Sequence, residues 1–331
     1  MSRQALILLL LAPVAIAVPC VCCFIGEVPV RPVHLGQPDS LEYWVLVNYR
    51  VPRVLAGLIA GATLGLCGMA FQAIFRNPLT TPYTLGVASG GSLGAVVFIS
   101  LGLTFSLAGV PGITLFAFLG SLVSVFLIQL LARLRRDAST ASLLLAGVAL
   151  NLCYSSIILF LQFHSNYHDS YRIVRWMMGG LGLPDMNAVF TILPFCFCGV
   201  AVTVLHTHEL NLLTTGDDLA GSRGVNAAAT KRLVFVGCSL AVGGIVAMCG
   251  PIGFIGLMAP HICRMMIGVN HRYLGPATAL FGGSFLVVCD TLARTLPETT
   301  QMPVGVITAL LGGPYFLALL CLRRGGRRLI G

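Results

Sequence analysis

With 331 residues, 57% of them hydrophobic and only 9% charged, and a mean hydropathy of +0.92, the chain is far from a soluble domain, which carries about 25% charged residues. This composition excludes an ordinary soluble enzyme and reads as an all-α integral membrane protein. The net charge of +9 is no sign of nucleic acid, because membrane proteins gather Lys and Arg on their cytoplasmic side and the distribution counts for more than the sum.

A helix crosses the hydrocarbon with about 20 apolar residues. Ten such stretches are expected in chain order, at 5–25, 52–74, 84–108, 112–132, 142–163, 187–206, 233–250, 252–268, 274–293 and 304–322. They form one membrane domain over 1–331, with a cytoplasmic loop at about 207–232. The first stretch is longer than the apolar segment of about 7–15 residues in a secretory signal, so it reads as an uncleaved span. Ten spans place both termini on one side. With that side cytoplasmic, six of the twenty Lys and Arg residues fall outside (Arg31, Arg50, Arg53, Arg172, Arg175 and Arg294) and fourteen inside.

The second span carries Gly57, Gly61 and Gly65, with Gly68 close by. A spacing of four puts the first three on one face, where helix backbones can approach closely. "FRNPLTTPYTLG" (75–86) follows it, with Pro78 and Pro82 opposing helix. Irregular backbone of this kind is tolerated at membrane depth only where it is buried in protein or lines a water-filled cavity. The seventh span echoes the pattern, since "AVGGIVAMCG" runs into a Pro/Gly break, and duplicated halves are common in transporters.

Candidate chemistry is sparse. "GGSLG" (90–94) matches G-x-S-x-G, but that motif needs a strand-to-helix turn and partner residues. Lys231 is the only lysine and follows no glycine-rich phosphate loop, so ATP would have to be hydrolysed on another subunit. The twelve cysteines are scattered without zinc-like spacing and read as free thiols, and no metal site is expected. Asp290, near the outer end of the ninth span, is the only good candidate for an ion site, with Arg294 four residues on as a local partner. Arg50 and Arg53 flank Pro52 at the expected start of the second span. There a helix N-terminus is already partly positive and favours an incoming anion. His164 and His168 lie outside at i, i+4 spacing, open to a chelate in a vestibule or simply to solvent.

Several segments in order carry a resemblance: "YRVPRVLAGLIAGATLGLCG" with "FRNPLTTPYTLG", then "STASLLLAGVAL" (139–150), "WMMGG" (176–180), "GPIGFIGLMAPHICR" (250–264), "DTLART" (290–295) and "MPVGVITALLGGPYFLALL" (302–320). Together they resemble the permeases of type II ABC importers for iron-siderophores, haem and cobalamin, nearly end to end. The resemblance implies a ten-helix subunit in the bacterial inner membrane, a permease homodimer in lipid, two cytoplasmic ATPase subunits that hold ATP and Mg, and a periplasmic binding protein. It implies no cofactor on this chain itself. A cytoplasmic gate falls on Asn77 and Leu79, with a second constriction at Ser139 and Thr140, where Ala141 departs from the hydroxyl found in relatives. Docking of the binding protein falls on Arg50, Arg53 and Arg294. ATPase coupling falls on Asp217, Asp218, Ala220 and Gly224, with aspartate where glutamate is usual. "WMMGG" leans slightly toward corrinoids. An ion-coupled secondary transporter or channel is the alternative class.

Overall fold

The protein is described here by a computed structural model covering residues 3–26, 39–134, 140–182, 186–296 and 301–322. In chain order the elements begin with α1 (Arg3–Phe24), then α2 (Leu41–Val45), which continues through a π-helical turn (Leu46–Arg50) into α3 (Val51–Ile74). α4 (Val87–Ser100) leads to a small antiparallel hairpin of β1 (Ser106–Leu107) and β2 (Val110–Pro111), followed by α5 (Gly112–Leu134). Next come α6 (Thr140–His164), α7 (Tyr167–Met177), α8 (Met186–Leu205), α9 (Thr207–Leu213) and α10 (Asp217–Ser222). The chain closes with α11 (Ala227–Cys249), α12 (Ile255–Ile267), α13 (His271–Thr295) and α14 (Val304–Leu322).

All ten expected spans are helices, but their lengths differ. Among the described residues seven are long and apolar enough to cross a membrane, and three apolar ones (α4, α12 and the start of α14) are shorter. The second span starts at Leu41 rather than 52 and runs for 34 residues, so Arg50 and Arg53 do not sit at a free helix N-terminus. The third stops at Ser100, because the chain turns into the hairpin before 108. At 14 and 13 residues, α4 and α12 reach only about 20 Å, too little to span the hydrocarbon alone.

α3 is the buried centre. Its glycine face lies where the spacing put it, against α13 and α12. A Cβ on Gly61 would stand 2.3 Å from the Gly282 carbonyl oxygen, and one on Gly68 would stand 1.9 Å from that of Gly256. Only glycine lets the backbones meet this closely. The echo between halves is structural as well. α11, like α3, is largely buried and ends at an irregular break followed by a short apolar helix. α3 packs on α12 and α13, while α11 packs on α4 and α5. Each half therefore closes on the short helix and its successor in the other.

The periphery is open. α6 is buried over only a small part of its length, and Leu145, Leu152, Leu159, Phe160 and Phe163 are exposed along it. Such a face needs lipid or another subunit to cover it.

α13 offers an internal comparison. Gly282→Ala would place a methyl 2.6 Å from the Gly61 carbonyl oxygen, whereas Gly275→Ala meets only the ends of Met69 and Leu66 at 3.6 and 3.7 Å. Thermal unfolding in detergent should show the first losing about 1–3 kcal/mol or more through overpacking. The second should be neutral or slightly stabilising.

Candidate functional site

The loop between α3 and α4 is built from α3 outward. Asn77 N–H donates to the Gln72 carbonyl at 3.2 Å, and Thr80 N–H to the Asn77 carbonyl at 3.1 Å. Asn77 Oδ1 accepts the Leu79 N–H at 2.9 Å, a local turn that asparagine favours. Thr80 and Thr81 are buried, while the Leu79 side chain is 56% exposed at the tip. The irregular backbone is thus sunk into protein, and one apolar side chain projects from it. Thr80 Oγ1 is buried with no hydrogen-bond partner among the described residues.

Two anchors hold this loop. Asn151 of α6 donates its Nδ2 to the Tyr83 and Thr84 carbonyls at 3.3 Å and pairs with Ser89. The Tyr83 hydroxyl accepts the Ile252 N–H at 2.8 Å, joining this break to the matching break after α11. Below it, buried Gln72 accepts from Arg264 at 2.8 Å and donates to the Gly256 carbonyl at 3.4 Å.

The segment 207–232 comprises α9, α10 and the start of α11. Asp217 and Asp218 open α10, as a helix start prefers. Asp218 and Leu219 face outward, but Ala220 is fully buried in the core, so its role in this chain is packing rather than surface contact. Gly224 ends the turn in the left-handed region (φ 83°) with open space around it, so a larger residue there strains the backbone without a clash. A cavity of about 630 Å³ gathers Arg76, Arg133, Thr140, Asp217, Lys231 and Arg232 around apolar walls of Phe75 and Phe235. It brings the loop after α3, the start of α6 and the 207–232 segment together at one end of the bundle. Ser139 lies outside the described residues.

At the other end of α3, about 35 Å away by helix rise, the arginines form a buried cluster. Arg53 grips Asp290 with two nitrogens at 2.9 Å and reaches Gln301 at 2.8 Å. Arg50 donates to the Cys23 and Phe24 carbonyls at 3.2 and 3.0 Å, and Arg294 to the Cys22 carbonyl at 2.6 Å. All three arginines are 3–4% exposed. The sequence placed Arg50 and Arg53 at a helix start open to an incoming anion; here they are buried within a longer helix. Asp290 is also held chiefly by Arg53, 237 residues away, with Arg294 Nε at 3.8 Å. This fork–fork pairing fixes α3 against α13, and the carbonyl contacts fix α1 to both.

His164 and His168 do not share a helix face, because α6 ends at His164 and α7 begins at Tyr167. Both are exposed, with His164 Nδ1 3.0 Å from the Phe160 carbonyl. In "WMMGG", a Cβ on Gly179 would stand 2.2 Å from the Pro251 carbonyl oxygen, and φ there is 67°. Backbone packing accounts for that glycine without a ligand. Ser92 sits inside α4 and donates to the Ala88 carbonyl, not at a nucleophile turn.

Comparison with known proteins bears on the family and the fold. The family model described as the FecCD transport family matches residues 10–322. The chain belongs to the FecCD transport family. It is 39% identical over 298 residues to the hemin transport system permease of Yersinia pestis, covering 87% of this chain and 86% of that one. It is 37% identical over 289 residues to the cobalamin import system permease of Halobacterium salinarum, covering 87% and 76%. A solved inward-facing conformation of a metal-chelate type ABC transporter superposes with a TM-score of 0.84 at 30% identity, covering 95% of this chain and 98% of that one. The fold is that of a type II ABC importer permease.

Within this FecCD chain, sequence reasoning missed Asn151, Gln72 and Tyr83. The signal available for Asn151 and Gln72 was a lone polar side chain inside an otherwise apolar span, which is rarely placed without a partner; Tyr83, in the loop, gave no such signal.

Removing one member of the buried pair leaves an uncompensated charge. Asp290→Asn is expected to cost about 3–5 kcal/mol in detergent unfolding, whereas Arg53→Met combined with Asp290→Leu should recover part of that loss but not all of it, since buried Arg294 still loses its acid.

Proposed function

We propose that this chain is the membrane permease of an ATP-driven importer that takes a metal chelate (ferric siderophore, haem or cobalamin) from a periplasmic binding protein into the cytoplasm. Two copies form the pathway in the bacterial inner membrane, with both termini cytoplasmic. Two ATPase subunits hold the ATP and Mg. The named substrates of the haemin and cobalamin relatives support the chelate class.

The observation that carries this reading is the convergence of the 75–86 loop, Thr140 and Asp217 on one cavity. In this reading Asn77, Leu79, Ser139 and Thr140 form the cytoplasmic constriction. Exposed Asp218 and Leu219, with Gly224, meet the ATPase. The open face of α6 is covered by the second copy. The binding protein docks on the end that Arg50, Arg53 and Arg294 support from beneath, and an acid reaching them must displace Asp290 or the Cys22–Phe24 carbonyls. His164 and His168 stand exposed near that end for a chelate to touch. Since Arg53 grips Asp290 on both oxygens, that acid is a poor proton or ion carrier, which disfavours ion-coupled transport.

The test is reconstitution in liposomes with the ATPase and binding-protein subunits, using haemin and cobalamin as probes. ATP-dependent accumulation of either, absent without the ATPase, is expected. Accumulation driven by an ion gradient with no ATPase present would overturn the reading.

A further inference from the structure

The gate loop and the coupling segment meet at a single carboxylate. Asp217, in the first turn of α10, receives Lys231 Nζ at 2.6 Å from α11 and has an Arg76 nitrogen at 3.8 Å from the loop. Arg76 is the residue on which the chain leaves α3. Its φ of 48° puts it in the left-handed region, disfavoured for any residue with a Cβ. Such conformations persist where the surroundings hold them, and they gather at switch regions. The guanidinium lies against the start of α10, since a Cβ on Gly216 would be 3.6 Å from Arg76 Nη1.

The two cations differ in mobility. Lys231 belongs to α11, a long helix packed into the core, so it is the fixed pole. Arg76 stands on a loop outside any helix, and although both side chains border the cavity of about 630 Å³, only Arg76 is carried by irregular backbone. The Arg76, Asp217 and Lys231 side chains are 44%, 43% and 24% exposed. Ion pairs that wet add little to stability, which suits contacts made and broken in every cycle.

We propose that Arg76 is a positioning residue that ties the gate loop to the coupling helix through Asp217, with Lys231 as the fixed counter-charge. When a partner pulls α10, Asp217 moves with it because it belongs to the first turn of that helix, its contact with Arg76 lengthens and the loop is released; return of α10 recaptures it. This rests on the importer reading above.

The test needs no substrate. In a chain with Cys20, Cys153 and Cys321 replaced by serine, Leu79→Cys is reacted with a membrane-impermeant maleimide in the assembled permease–ATPase complex, with and without ATP. ATP should change the rate of modification by about fivefold or more. Arg76→Gln should lower that change by about two- to fivefold, while ATP hydrolysis and thermal unfolding persist. Arg76→Lys should restore it, and Arg76→Gln added to Asp217→Asn should lose no more than Asp217→Asn alone. If Arg76→Gln does not fold, the comparison of Arg76→Lys with Asp217→Asn decides, because equal responses would overturn the link. An undiminished ATP response in folded Arg76→Gln would overturn the link and leave the importer reading standing. No ATP response in the parent complex would overturn both.

Discussion

The structure depends on the backbone contact of α3 with α13 and α12. Where Gly61 meets Gly282 and Gly68 meets Gly256, no side chain separates the helices, so dispersion between main chains holds them, as membrane helices require without a hydrophobic driving force between them. Polar ties secure both ends of the same contact. Arg53 clasps Asp290 at one end, and Gln72 bridges Arg264 and Gly256 at the other. A buried ion pair contributes little net stability once desolvation is counted. Its use here is to fix register: slipping α3 along α13 would leave a charge alone in a low-dielectric interior.

A rigid strut gives the irregular segments something to be irregular against. Both breaks, 75–86 and 250–254, leave a long buried helix, enter a short one and touch each other through Tyr83 and Ile252. Neither could sit at membrane depth if it faced lipid. Burial of Thr80 and Thr81 with exposure of Leu79 divides the first break into an anchored base and a free tip. That division would let the proposed constriction move while its attachment does not.

Much of this was legible from residue order. Twenty-residue apolar stretches located ten helices, seven of them long enough to cross a membrane, the four-residue glycine spacing found the buried face of α3, and the prolines marked the break. Hydropathy failed where a helix carries polar residues or the chain turns early. "LEYWVLVNYR" is helical because its polar side chains find partners, and the stretch after Ser100 folds into a hairpin although it is apolar. The arginine end was legible only in part. Spacing along one helix gave Arg294 as a partner of Asp290, which it is at 3.8 Å, but missed the closer partner 237 residues away. No local pattern reports such a contact, nor the cavity that joins Thr140 to Asp217.

The most direct measurement is a pair of spin-label distances in the assembled transporter. One is taken between the Leu79 positions of the two permease copies proposed above, the other between the exposed Leu296, just beyond α13, and the exposed Val47, just before α3. On adding ATP the first distance should shift and the second should stay fixed. Movement between Val47 and Leu296 with a static Leu79 pair would contradict a rigid α3 strut carrying a mobile gate.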